Sequence, residues 1–211
     1  MVRTHNSSAT RTKLLDAARD VIRTKGYSAT TVDDICAEAG ITKGGFFHHF
    51  ASKEQLAKAA MEQFGSMASA LFHTAPYTSL PDPRDRILGY VDFRAALLNG
   101  QIHEYTCLFG TTVQETYTTH PDLREACDRG MTEHIDMLTR DIEAAKQLYA
   151  QGATWSAESV GYFIQSVLQG AFIFAKVKQG PAIAVESLSH LRRYLETLLG
   201  APDTSPIGKQ S

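Results

Sequence analysis

The chain has 211 residues, 43% hydrophobic, 21% charged and 9% aromatic, with a formal net charge of −2. This is the composition of an ordinary globular protein that can bury a substantial core. No apolar run approaches the ~20 residues of a membrane span and the N-terminal MVRTHNSSATRTK lacks the apolar core of a secretion signal, which predicts a cytoplasmic protein with no membrane partner. Residues 1–60 hold nine Lys/Arg and six Asp/Glu, so the basic charge gathers at the N-terminal end and the remainder is acidic, an asymmetry that suits phosphate contact by an N-terminal module.

From Thr10, apolar residues at Leu14, Ala18, Val21 and Ile22 recur with the helical period and Gly26 stands where a C′ glycine ends a helix. Thr30 or Thr31 caps a second helix with Asp33 and Asp34 in its first turn, where carboxylates meet the positive end of the dipole. Val32, Ile35, Cys36 and Ala39 form its inner face. Ala39-Gly40-Ile41 makes a tight turn, and Thr42 caps a third helix. Ser52 caps a fourth, with Gln55 completing a capping box, and the apolar positions Leu56, Ala60, Phe64, Met67 and Leu71 carry it to about Phe72 or His73. The unit over about residues 33–52 therefore reads as a helix-turn-helix, in which the second helix enters the major groove.

The residues Ala39-Gly40-Ile41-Thr42-Lys43-Gly44-Gly45-Phe46-Phe47-His48-His49-Phe50, followed by Ser52-Lys53-Glu54, resemble the DNA-binding core of the TetR family of bacterial repressors. The resemblance covers roughly residues 9–60. It implies a three-helix head, an all-helical ligand-responsive body, and a homodimer that binds a palindromic operator and is released by a small-molecule effector. The expected DNA-binding set is Thr31, Thr42, Lys43, Gly44, Gly45, Phe47, His48 and Lys53, with Lys53 matching the family's phosphate-contacting lysine. Thr42 and Lys43 open the recognition helix, where backbone N–H groups and a cation favour a phosphate or base edge. Gly44 and Gly45 carry no side chain that would hold the backbone off the DNA, at about 1 kcal/mol each in helix propensity. Phe46 and Phe50 read as core anchors. Three positions depart from the family: Phe47 replaces a usual tyrosine, Gly45 a small hydroxyl residue, and Asp33 an arginine that often reads a base.

Pro76, Pro81 and Pro83 interrupt any helix between His73 and Arg86, marking the main linker. Beyond it five helices are expected, over about 85–101, 105–118, 121–151, 156–178 and 182–199. The fold class is thus all-α with about nine helices: a head over 1–60, a ligand-binding and dimerisation body over 61–200, and a polar, disordered tail over 201–211.

The 156–178 segment is apolar nearly all round and must be buried on two sides. With Val167, Gly170, Ala171 and Phe174, and with Leu188, Leu191, Arg192 and Leu195 on the next helix, it is expected to form a four-helix dimer interface. Aromatic and apolar walls for an effector pocket are expected from Phe93, Leu97, Phe109, Val113, Tyr117, Met137 and Phe163, with Gln114, His134 and Gln169 as polar contacts. Three cysteines without short metal-site or redox spacing, Cys36, Cys107 and Cys127, read as reduced thiols, and Cys107 or Cys127 offers an alternative signal through oxidation or alkylation. The chain lacks a zinc-protease motif, nucleophile elbow, P-loop and dinucleotide fingerprint. Adjacent His48 and His49 point about 100° apart on a helix, which does not make a metal pair. No enzyme activity, metal or cofactor is therefore expected.

Overall fold

Helix formation begins earlier than the apolar spacing predicts. In the computed structural model, which describes residues 2–200, α1 runs over Val2–Lys25, although between Ser7 and Lys25 its first buried apolar residues are Leu14 and Leu15. The tail expected to be disordered, 201–211, lies outside the described residues. Gly26 ends α1 with a φ of +90°, a conformation that costs glycine nothing and a side chain about 1–3 kcal/mol.

The head continues with α2 (Val32–Ala39) and α3 (Lys43–His49), and α4 (Lys53–His73) leads out of it. Ile35, Cys36, Phe46 and Phe50 meet Leu14, Ala18 and Ile22 of α1 in one core, which confirms both phenylalanines as anchors. That core also takes in Leu56, Ala57, Ala60 and Met61 of α4. A single helix thus carries the head core at its start and the body core, through Phe72, at its end.

The proline-rich linker is structured. Pro76–Ser79 forms one 3-10 turn, and Tyr77 is buried with its hydroxyl donating to Phe72 O at 3.1 Å. Asp82 then caps α5 (Pro83–Ala96), with Pro83 in the first turn, where its missing N–H costs nothing. The expected 85–101 helix stops five residues early. Gly100 takes a φ of +78° and the chain restarts as a single turn, α6 (Ile102–Tyr105), before α7 (Leu108–Thr116). The Asn99-Gly100 pair is the local signal for that break.

Helices α8 (Pro121–Tyr149), α9 (Ala157–Lys178) and α10 (Ala182–Leu198) complete ten α-helices and no strand among the described residues. The body core lies between α5, α8, α9 and α10. α9 is long and apolar enough to cross a membrane by length and composition alone, but Val160, Ile164, Leu168, Phe172 and Ala175 bury one face of it in that core.

Candidate nucleic-acid interface and internal cavity

Three side-chain caps set the geometry of the head. Thr31 Oγ1 accepts from Asp34 N at 3.1 Å, and the Asp34 carboxylate accepts from Thr31 N at 2.7 Å, closing a capping box on α2. Lys25 reaches the same carboxylate at 2.5 Å, and these partners hold it well below the usual carboxylate range. Thr42 Oγ1 accepts from Gly45 N at 3.2 Å at the start of α3. Ser52 Oγ accepts from Gln55 N, while Gln55 Oε1 turns to Ala51 N, one residue before the position a capping box would use.

With Phe46 fully buried beneath it, α3 presents Lys43, Gly44, Phe47 and His48 outward, and Phe47 is 57% exposed. The two glycines differ. A Cβ on Gly44 would meet only Thr42 Oγ1 at 3.9 Å, whereas one on Gly45 would lie 2.8 Å from Ile41 Cγ2. Gly45 thus also lets the third helix pack closely against Ile41 of the turn.

The cations are partly committed inside the protein. Lys43 pairs with Asp33 at 2.8 Å, with both side chains exposed, an arrangement that adds little to stability but offsets the charge offered to a phosphate. Lys53 donates to Tyr27 O at 3.0 Å and Thr30 O at 2.8 Å and lies 4.2 Å from the Tyr27 ring centroid. In the free protein it fastens α4 to the α1–α2 turn.

Further contacts bind that turn to the body. Ser28 N donates to Glu115 Oε2 at 2.7 Å, Arg23 Nε donates to Thr106 O at 2.7 Å, and the Tyr27 and His120 rings meet edge-on at 5.2 Å. Leu108, Phe109, Leu123, Ala126 and Cys127 of α7 and α8 enter the head core itself. Head and body are joined through packed side chains rather than hinged on a free linker.

A cavity of about 550 Å³ opens between α1, α4, α5, α6, α7, α8 and α9. Its apolar walls include Phe64, Met67, Phe72, Phe109, Met137 and Phe172. Of the residues expected at an effector pocket, Leu97, Phe109, His134, Met137 and Gln169 line it. The others do not. Phe93 packs against Phe72 and Tyr77, Gln114 donates back to Gly110 O of its own helix, Tyr117 is exposed, and Phe163 lies on the outer face of α9. Val113 borders a separate hollow with Tyr162 and Gln169. Helical spacing could not have sorted these, because the cavity draws residues from seven helices, in some cases only one.

Behind the polar wall formed by His134 and Gln165 lies Tyr90, which is fully buried. Gln165 Nε2 donates to its hydroxyl at 3.2 Å, and the hydroxyl lies 2.9 Å from His134 Nε2. Burial, helped by nearby Arg94 and His73, lowers the pKa of His134 to about 3, so it is neutral at pH 7. Sequence reasoning missed Arg94 and Gln165 of the lining and Tyr90 behind them; Arg94, whose only charged companion between Tyr90 and Leu98 is Asp92, was the available signal.

The dimer residues also sort differently from expectation. Ala171, Leu188, Leu191 and Leu195 are buried inside the protomer, where α10 packs on α9 and α5, so the leucine stripe is corrected to a core seam. Arg192 pairs with Asp92 of α5 at 2.8 Å. The outward face of α9 instead shows Tyr162, Phe163, Ile173, Phe174 and Val177, joined by Val185 and Tyr194 of α10. Phe163 stacks on Tyr194 at 4.9 Å, and a Cβ on Gly170 would meet nothing within 4 Å. Large exposed apolar side chains gathered on one helix pair are of the kind that marks an interface.

A helix-turn-helix head packed onto an all-helical body with an internal cavity defines a DNA-binding regulator that answers to a ligand. Residues 14–60 match the model for bacterial regulatory proteins of the tetR family, and residues 83–183 match the C-terminal domain of LmrA/YxaF-like transcriptional regulators. The chain belongs to the TetR family of bacterial transcriptional regulators.

Among curated relatives, the repressor NemR of Escherichia coli is 22% identical over 196 residues, covering 92% of this chain and 97% of that protein. The repressor KstR2 of Rhodococcus jostii is 43% identical over 61 residues, only 29% of this chain and 30% of its own length. The Escherichia coli transposon protein TetC is 39% identical over 69 residues, 33% of this chain and 35% of its length. The solved reduced form of NemR superimposes with a TM-score of 0.76 over 92% of this chain and 99% of that one, at 22% identity. A TetR regulator from Chloroflexus aurantiacus gives 0.78 over 90% and 96%, at 24% identity.

Proposed function

We propose that the protein is a homodimeric repressor that holds a palindromic operator and releases it when a small molecule fills the cavity. One observation carries this reading: the same cavity is walled by Phe64, Met67 and Phe72 of α4 and by Arg19 and Arg23 of α1, the two helices that also hold the head core. A ligand entering there displaces α4 against the head and changes the separation of two recognition helices, which must match half-sites ~34 Å apart. Differential affinity of the two arrangements for ligand and operator supplies reciprocal coupling, typically ~1–3 kcal/mol.

The DNA-contacting set is Thr31, Thr42, Lys43, Gly44, Gly45, Phe47, His48 and Lys53, with Gly45 also packing against the turn. Phe47 offers an apolar surface to a thymine methyl. The exposed α9–α10 face is the dimer surface. Selecting duplexes from a random library tests the whole reading: palindromic sites bound by two protomers support it, and enrichment of no sequence overturns it.

A second reading is favoured by one observation. Cys107 lines the cavity, half-buried, with its sulfur accepting from Gly110 N at 3.4 Å at the start of α7. Modification there would occupy the cavity wall covalently. Cys127, by contrast, is buried and its thiol is pushed up to about 12 by desolvation, which leaves it inert. Operator binding that is unchanged after N-ethylmaleimide treatment disposes of the thiol signal.

A further inference from the structure

Arg94, on α5, lines the cavity with its guanidinium carbon 5.0 Å from the Phe72 ring centroid and 5.5 Å from that of Phe172. Those contacts engage its charge, yet none of its N–H donors has a hydrogen bond or carboxylate partner among the described residues. The other arginines of the cavity are committed: Arg19 to Asp16 and Asp20, and Arg23 to Thr106 O and Asp20. The carboxylates of the lining do not answer Arg94 either. Asp20 serves Arg19, Glu104 accepts from Gln101 N, and Glu133 is exposed with no recorded partner.

A guanidinium half out of water and held between two aromatic faces is a receptor for an anion, because its planar donors match a carboxylate in pairs. A second donor stands on the same ring. His134 lies 4.8 Å from Phe72, and its Nε2 is 2.9 Å from the hydroxyl of Tyr90, which accepts from Gln165 and has its own proton to give to the imidazole in the Nδ1–H tautomer. In that tautomer Nδ1–H is the free donor, since Nδ1 has no hydrogen-bond partner among the described residues. The remaining walls are apolar, and 550 Å³ suits a small organic molecule.

We propose that the effector is an organic acid: an apolar, ring- or chain-bearing body seated against Phe64, Phe109 and Met137, with one carboxylate bound by Arg94 and His134. This rests on the cavity being the effector site. It adds the ligand's charge, its anchor and its orientation, with the acid group toward α5 and the body toward α4 and α7.

The test uses the full chain with phenylbutyrate, naphthoate and the neutral amides of the same skeletons, read by calorimetry and by release of a library-selected duplex. The acids should bind about ten- to a hundredfold more tightly than their amides, the range expected of a charge-assisted hydrogen bond. Arg94→Gln should abolish that difference, Arg94→Lys should keep part of it, and both should leave duplex affinity without ligand unchanged. The acid-against-amide comparison needs only the unmodified protein, so it holds even if a variant folds poorly. Amides binding as well as acids, no binding by either, or an acid preference that survives Arg94→Gln would overturn the proposal while leaving the DNA-binding reading intact. Acids that bind through Arg94 without releasing the duplex would overturn the effector role. Failure to select any duplex would instead count against the regulator reading itself.

Discussion

Protonating His134 should destabilise the protein from inside its cavity, and the size of the effect follows from its surroundings. The imidazole is packed against Phe72 and Tyr90, faces Arg94 on α5, His73 on α4 and Gln165 on α9, and has its pKa lowered by burial to about 3. In the unfolded chain the same group titrates near ~6.5. Between those values the unfolded state binds the extra proton, so this contribution to stability is intact above about pH 6.5 and is lost as pH falls through that value. At about pH 5 the loss is about 2 kcal/mol, and below about pH 3 it levels off near ~5 kcal/mol. Urea unfolding followed by circular dichroism, at about pH 8 and pH 5 and at one protein concentration, measures it. The unmodified protein should lose about 2 kcal/mol more than His134→Gln, in which other groups titrate alike but this one is absent. Equal losses in the two proteins would refute the desolvated, neutral histidine on which the argument depends.

The Lys43–Asp33 pair predicts opposite effects from its two halves. Lys43→Ala should weaken operator binding and reduce the slope of log affinity against log salt by about one, while Asp33→Ala should free the ammonium and strengthen binding to any duplex, with thermal stability nearly unchanged in both. Phe163→Glu with Tyr194→Glu should give a helical monomer by light scattering, whereas Leu191→Ala should cost about 2–5 kcal/mol in protomer stability because it opens the core seam. A dimer that survived the double substitution would remove the α9–α10 patch as the interface. Gly26→Ala should cost more than the ~1–3 kcal/mol of its left-handed backbone, since the new Cβ meets the Glu115 carboxylate. Operator binding in that variant should fall further than stability alone explains, because the α1–α2 turn loses its tie to α7.

Much of the head could be read from local chemistry. Thr31, Thr42 and Ser52 cap the expected helices, Gly26 and Gly40 take the left-handed conformation at helix ends, and Phe46 and Phe50 anchor the core. The caps satisfy backbone groups a few residues away and the glycines act through their own backbone, so that information is contained in a short stretch. The same holds for Pro83 and Pro121 at the starts of α5 and α8.

The apolar repeats of α9 and α10 were equally visible, but a repeat states only that a face is apolar and not which neighbour covers it. Packing of α10 on α5 and α9 turned Leu188, Leu191 and Leu195 into protomer core and left Phe163, Phe174 and Tyr194 outside. The cavity obeys the same limit. Leu97, Phe109, His134, Met137 and Gln169 were identifiable as pocket-forming types, but Arg94 becomes a binding group only because Phe72 and Phe172 arrive from two other helices and no carboxylate does. The capped helix ends of the head, the family and the recognition helix were thus legible in the sequence alone, because short-range hydrogen bonds and backbone sterics encode them. Which apolar face seeks a partner, and which charge is left waiting for a ligand, was decided by tertiary structure, because both depend on groups far apart in the chain arriving at one place or failing to arrive.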